Sequence, residues 1–510
     1  MNFIVTYGVK CPGAGTFVLD CQLDSVYISG VGTSVTGGAP TGTRSINTLG
    51  SGMSGTYTVG GTTPNFATLA LAVADVNNRG LSGPVVLEVR KGHSERATAA
   101  AGIVLDVNPP IACGVTRPNK INTLTIRRAA GTGAMPIIYA ASTGTNSPGL
   151  GSTTPDGIFK INGEDYVTID GISFRDTSIN TGTAKSEYGI MLAKKNANDA
   201  CKRVIIRNCF IRLDRTNVGT VFNNRMGGGA VGILVTNVDG LGNSSLIPIV
   251  NNGTVDSVLI RNNTITNVYH PILWYGIESS DRNYFWKDNR DSIVNNTLNN
   301  FGGSTVQTDG ILMMGANNYF ISGNTINNKA NSGVDHLQST GTSMFGIRLA
   351  VGTSNTTSAE NFSGGTITNN TIVWNVAPTA SSTLSPMGGI GIYTGGRNNN
   401  LLVRGNRFIN SNFNLNTFGT MYGVYLARSA HYNRLEISRN RMSGINVNST
   451  ATIYGYFTES SVAKNRIIEN DTFANITNGG SSTGSIYGIW SSNSSTTPGL
   501  IDSSVSISNN

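Results

Sequence analysis

VLIRNNTI (258–265), SIVNNTL (292–298), FISGNTI (320–326), TITNNTI (366–372) and LVRGNRF (402–408) are one pattern written five times. Each is an alternating apolar stretch, an Asn, and a further apolar residue two places on. LEISRNRM (435–442) continues the series, IIENDTF (467–473) puts Asp471 in the Asn slot, and VIIRNCFI (204–211) puts Cys209 there. Period-two alternation marks strands, and Asn suits a tight turn because it tolerates left-handed backbone and bonds locally. Stacked turns of this kind let each side-chain amide bond the one above and below. The spacing therefore predicts an asparagine ladder through Asn263, Asn296, Asn324, Asn370, Asn406 and Asn440.

Between these turns lies a second repeat, an apolar or aromatic residue, Gly, then a β-branched or aromatic residue. It occurs at Gly157, Gly189, Gly232, Gly276, Gly310, Gly346, Gly391, Gly423, Gly455 and Gly488, with a minimum spacing near 32 residues. Each unit reads as a Gly-containing strand, a turn, a second strand, the Asn turn, a third strand and a return loop. No single unit buries its apolar face, whereas stacked units share one core. The expected fold is all-β, a right-handed single-stranded parallel β-helix with three strands per coil. Ile158, Ile190, Ile233, Ile277, Ile311, Ile347 and Ile392 are expected to form an inward aliphatic column.

Composition agrees. Charged residues are 13% against an average of about 25%. The 63 Gly suit many tight turns, while 38% hydrophobic content is too high for disorder. The net charge of +8 is spread without a dense basic run, so nucleic acid is not an expected partner, and no apolar run reaches membrane-spanning length. Five cysteines, Cys11, Cys21, Cys113, Cys201 and Cys209, form neither a disulfide framework nor a zinc signature.

Three segments follow. Residues 1–53 read as a linker or the end of a preceding module, 54–93 as an N-terminal cap, and 94–510 as the β-helix. In TPNFATLALAVADVNNRG (63–80) the apolar spacing predicts a helix over about 65–78, with Gly80 as its stop. The last residues, SVSISNN, fall inside the repeat, so further chain is expected beyond Asn510.

The coil pattern resembles the pectin-lyase-like β-helix superfamily over about 83–510. The segment SGTYTVGGTTPNFATLALAVADVNNRGLSGPVVLEVRKGH (54–93) is similar to the entry region of large secreted Bacteroidota proteins exported by the type IX system. That resemblance implies a secreted or cell-surface location, a polysaccharide or surface glycan as partner, and other domains in the same precursor. The superfamily holds lyases, hydrolases, epimerases, adhesins and tailspikes, so fold alone selects no activity.

Catalytic residues are not identified: the Asn-Thr-Asp, Asp-Asp, Gly-His-Gly and Arg-Ile-Lys motifs of related polygalacturonases are missing, and the four histidines share no spacing. The best acidic-aromatic cluster is WYGIESSDRNYFWKDNRDS (274–292), with Asp281 and Asp288 beside Tyr284 and Trp286. It reads as a glycan- or calcium-binding loop, or as an ordinary solvated loop pinned by its rings. No other cofactor is expected. A sharper expectation comes from strand alternation, which places an outward column at the second residue after each Gly. Its last four members, Tyr393, Tyr425, Phe457 and Trp490, are aromatic and flank the side-chain-free column Gly391, Gly423, Gly455 and Gly488. Exposed, they would pack on sugar faces; otherwise the rings stack on one another or lie under loops. Scaffold for adhesion or glycan contact, divergent lyase or hydrolase, and structural spacer or filament subunit are the three functions this leaves open.

Overall fold

The chain is represented by a computed structural model. It describes residues 52–109, 115–142, 156–177, 185–218, 229–239, 250–276, 287–303, 307–329, 335–337, 344–350, 364–377, 386–393, 396–414, 420–426, 430–448, 451–459, 462–479, 484–491 and 504–508, with four short strands between 15 and 48. The latter pair only among themselves, Gly15–Leu19 with Arg44–Thr48 and Ser25–Tyr27 with Ser34–Thr36, both antiparallel.

Among the described residues, the strands from Met53 onward wind into a right-handed parallel β-helix of three sheets. Sheet I has 11 strands, from Ile103–Leu105 to Ile486–Ser491. Sheet II has 13, from Met53–Val59 to Ser504–Ser508, and sheet III has 13, from Ser94–Arg96 to Thr472–Asn478. One coil runs Tyr188–Lys194 in sheet I, Ile205–Arg207 in sheet II and Phe210–Arg212 in sheet III. Apolar residues at alternate positions fill the lumen. Ile206, Ile260, Ile293, Ile321 and Ile367 stack in register in sheet II, all at 0% exposure. Each such burial stabilises by about 1.5–3 kcal/mol.

The ladder forms as the repeat predicts. Asn263, Asn296, Asn324, Asn370 and Asn406 each donate Nδ2–H to Oδ1 of the next asparagine at 2.9–3.0 Å. Asn440 donates to Asp471 Oδ1 at 3.0 Å, and Cys209 N–H donates to Asn263 Oδ1 at 2.9 Å. The second Nδ2–H reaches back to an inner-strand carbonyl, as from Asn296 to Ile260. The left-handed residue, however, is the one before the ladder position: Asn208, Asn262, Asn295, Asn369, Arg439 and Asn470 have φ of 54–57°.

Helix α1 spans Leu69–Arg79, starting four residues later than apolar spacing predicts because Thr68 is the N-cap. Leu69, Ala72, Val73 and Val76 are its buried face. Its first turn contains no acid, and the carboxylate of Glu95, from the first strand of sheet III, accepts from Leu69 N–H (2.6 Å) and Ala70 N–H (3.1 Å) instead. The flanking strands Met53–Val59 and Leu81–Val89 pair as the first two strands of sheet II.

Candidate functional site

Sheet I departs from simple alternation. The ladder pairs Tyr188 with Val231 and Ile190 with Ile233, passing over Gly189 and Gly232. Glycine and the residue after it both face the lumen. A Cβ at Gly423 would lie 2.4 Å from the carbonyl oxygen of Gly455, and one at Gly455 would lie 2.1 Å from the Phe473 ring. Gly423, Gly455 and Gly488 are therefore inward, correcting the expectation of a flat outer strip; close approach between coils demands it. Two outward columns result, three residues apart. One runs Phe345, Gly388, Tyr422, Tyr454, Tyr487, and the other Arg348, Gly391, Tyr425, Phe457, Trp490.

Register corrects three positions. Phe159, not Ile158, pairs with Ile190; Ile272, not Ile277, pairs with Ile233 and Ile311; Ile390, not Ile392, pairs with Ile347. Gly157 and Gly391 stand in register with Tyr188 and Tyr425 rather than with the repeat glycines. Gly391 thus occupies the slot assigned to Tyr393, because the Phe345 ring lies where its Cβ would be, 2.5 Å away. Tyr393 pairs with Ala350 two places further on, yet stays on the face, 5.4 Å from Tyr425 and 5.8 Å from Phe345. The column through Tyr422, Tyr454 and Tyr487 was missed, although its residues stand in the motif itself, as the first letter of YGVY, YGYF and YGIW.

Ring geometry divides the face. Tyr422, Tyr454 and Tyr487 stack at 5.5 and 5.1 Å with interplanar angles of 11° and 13°, so their faces cover one another and their edges point out. Phe457 is turned 59° from Tyr454, and Trp490 67° from Tyr487. Phe345 is buried, Tyr425 is 7% exposed and Phe457 is half-buried, whereas Tyr487 and Trp490 are open on the last described strand of the sheet, as is the inward Ile486. Tyr425 O–H donates to Glu459 Oε2 at 3.2 Å, and burial pushes the Tyr422 and Tyr425 phenols up. At the other end Arg348 lies 4.7 Å from the centre of the Tyr393 ring and 3.7 Å from Asp309. The earlier face is mainly aliphatic, with Met191, Leu234, Leu273 and Leu312 in the matching column and Tyr188 and Tyr275 packed beside them.

The acidic loop looks different from its sequence reading. Asp281, Tyr284 and Trp286 lie outside the described residues. Asp288 is buried: its Oδ1 accepts from Val255 N–H (3.0 Å) and its Oδ2 from Trp274 Nε1–H (2.9 Å). Burial pushes its carboxyl up to about 6 despite those bonds and Lys194. Asp291 is likewise buried and accepts from Val258 N–H. These acids satisfy turn amides rather than face solvent. Among the described residues no three His, Cys, Asp or Glu are grouped to hold a metal, and no helix is long and apolar enough to cross a membrane.

Two acids that the sequence reading did not pair meet in adjacent coils beside sheet I. Asp156 N–H donates to Glu187 Oε2, and Glu187 N–H donates to the Asp156 carbonyl. Burial, and then Asp156, push the Glu187 carboxyl up to about 9.

These features define a right-handed parallel β-helix with a partly exposed aromatic end to one sheet face. No family model matches the sequence, and no curated protein matches it. Among solved structures, a GH136 lacto-N-biosidase from Eubacterium ramulus is 13% identical with a TM-score of 0.43, over 86% of this chain and 67% of that one. A mannuronan C-5 epimerase A-module from Azotobacter vinelandii is 10% identical with a TM-score of 0.36, over 80% and 91%. PfbA, a surface adhesin of Streptococcus pneumoniae, is 13% identical with a TM-score of 0.37, over 83% and 87%. Each is a likeness of fold and assigns no activity.

Proposed function

We propose that the chain is the β-helical scaffold of a secreted or cell-surface protein and contacts extracellular glycan through the aromatic end of sheet I. The type IX export implied by its entry segment belongs to the same reading. One observation carries it: Phe457 and Trp490 are turned out of the tyrosine stack, and Phe457, with coils stacked on both sides of it, is only half-buried. A rotated, exposed ring offers a face to the apolar side of a sugar, while the neighbouring Tyr454 and Tyr487 bring hydroxyl groups. A scaffold made of stacked coils presents such rings at the coil spacing of about 4.8 Å, matching a polymer rather than a single sugar.

The test is binding of neutral and anionic polysaccharides by the chain and by Phe457→Ala/Trp490→Ala. Loss of two stacked rings at about 0.5–1.5 kcal/mol each predicts a fall of about tenfold in affinity. Equal affinity of the two proteins for every polymer that binds would remove the aromatic face from the account.

The acid pair favours a second reading, a polysaccharide lyase or glycoside hydrolase. Hydrolysis needs one protonated and one ionised carboxyl group, and Glu187, pushed up by burial and by Asp156, fits the protonated member. Released oligosaccharide detected by mass spectrometry, and its loss in Glu187→Gln, would establish this reading in place of the scaffold.

A further inference from the structure

Sheet III carries a second surface, of different chemistry, in its first coils. Its outward column reads Arg96, Tyr139, Arg175 and Arg212 in four consecutive strands, beside Ser94, Ile137, Ser173 and Phe210. The Arg96 guanidinium lies over the Tyr139 ring at 5.5 Å, and that of Arg175 over Phe210 at 5.0 Å. Neutral acceptors hold both in place. Arg96 Nη1–H donates to the Ala140 carbonyl at 2.7 Å, and Nη2–H to Thr177 Oγ1 at 3.3 Å. Arg175 Nε–H donates to Ser173 Oγ at 2.9 Å.

Among the described residues none of these three arginines has an ion-pair partner, although neighbours on other faces do: Arg117 with Glu164, Arg127 with Glu88, Arg207 with Asp170. The acids that follow them in sequence are engaged otherwise. Asp176 accepts from Thr177 and Ser186 N–H, and Asp214 pairs with Lys185 and accepts from Thr216.

We infer that this strip docks a linear polyanionic glycan, carboxylated or sulfated. A guanidinium held on a ring is oriented and partly dehydrated, which favours two-point bonding to a carboxylate or sulfate. Cations in one straight row at multiples of about 4.8 Å fit an extended chain with repeating charge. The row is narrow, unlike the clustered basic patch that an anionic membrane selects. Its rings are covered by guanidinium groups, so they offer no platform for nucleic-acid bases. The surface lies on a different sheet from the aromatic end of sheet I, and neither reading depends on the other.

Affinity electrophoresis through polygalacturonate, with its methyl-esterified form as the uncharged control, tests this. The chain is expected to be retarded by the acid form only, less so as salt rises, and Arg175→Gln/Arg212→Gln to lose about tenfold or more in affinity. Arg212→Gln alone, at an exposed position, should lose part of that affinity and keeps the test decisive if the double variant fails to fold. Arg127→Gln, on sheet II and paired with Glu88 away from both surfaces, should be retarded like the parent. Equal retardation by the esterified polymer, unchanged retardation of both arginine variants, or stronger binding to single-stranded RNA or anionic vesicles would overturn the inference.

Discussion

In the turn between sheets II and III, two adjacent residues have separate tasks. Asn262, Asn295 and Asn369 take φ near 55°, where Asn is the least strained residue after Gly. The residue after each points inward and joins the ladder. Sequence shows both as Asn-Asn and cannot divide them; Gly323–Asn324, Gly405–Asn406 and Arg439–Asn440 hold the clue, since in these turns only the second residue is an amide. Replacing Asn324 by Ala strands the N–H and Nδ2–H of Asn296, both of which it accepts. A loss of about 3 kcal/mol or more is expected in denaturant unfolding; a loss below about 1 kcal/mol would show that the ladder is dispensable there. Asp471 ends the series differently. Burial raises its carboxyl to about 6, against the bonds from Asn440. A raised carboxyl favours the protonated fold, so its contribution is full below about pH 4 and lost as pH rises through 6. Asp471→Asn should therefore melt higher than the parent at pH 8, with the gap closing toward pH 4. A gap independent of pH would rule out this cause.

At the scale of the strand, sheet I shows what the repeat could and could not reveal. The glycines were legible as a period, and the inward Ile190, Ile233, Ile311 and Ile347 followed from it. Strict alternation then failed, because the glycine and its successor both face the lumen, an arrangement that depends on backbone contact with the next coil and leaves no trace in one strand's sequence. The same contact makes a prediction. A methyl group at Gly423 would meet the Gly455 carbonyl oxygen and, at 3.2 Å, Met442 Sδ. Gly423→Ala should cost about 2–4 kcal/mol through forced displacement of a coil, whereas Gly92→Ala, at a position with φ of 70° but open space, should cost only backbone strain of about 1 kcal/mol. Comparable losses in thermal unfolding would show that coil spacing is not the constraint.

Across the described residues, buried or half-buried acids recur at turns and accept a backbone N–H from a neighbouring coil: Glu164 from Val107, Asp165 from Lys202, Asp288 from Val255, Asp309 from Phe345. None announces itself in sequence, because Asp or Glu near a turn usually faces water. Burial raises Glu164 to about 7, Asp165 and Asp288 to about 6, and Glu187 to about 9. Raised carboxyl groups stabilise the fold at low pH, and the effect fades as pH climbs through those values. His336 opposes this: buried near His270, it is lowered to about 3, so its contribution is full above about pH 6.5 and lost toward 3. Several acids outweigh one histidine, and the melting temperature should be higher at pH 5 than at pH 8. Calorimetry returning the reverse order would mean that the acids are solvated.

The ladder has one more consequence. Every amide in it donates from the earlier coil to the later one, so the side-chain dipoles from Asn263 to Asn440 all point the same way along the axis. Their positive end abuts the carboxyl group of Asp471, much as acids sit at the amino end of an α-helix. The rod consequently has an electrical polarity, fixed by side chains rather than by peptide groups, and a coil inserted into it would fit this field in one orientation only.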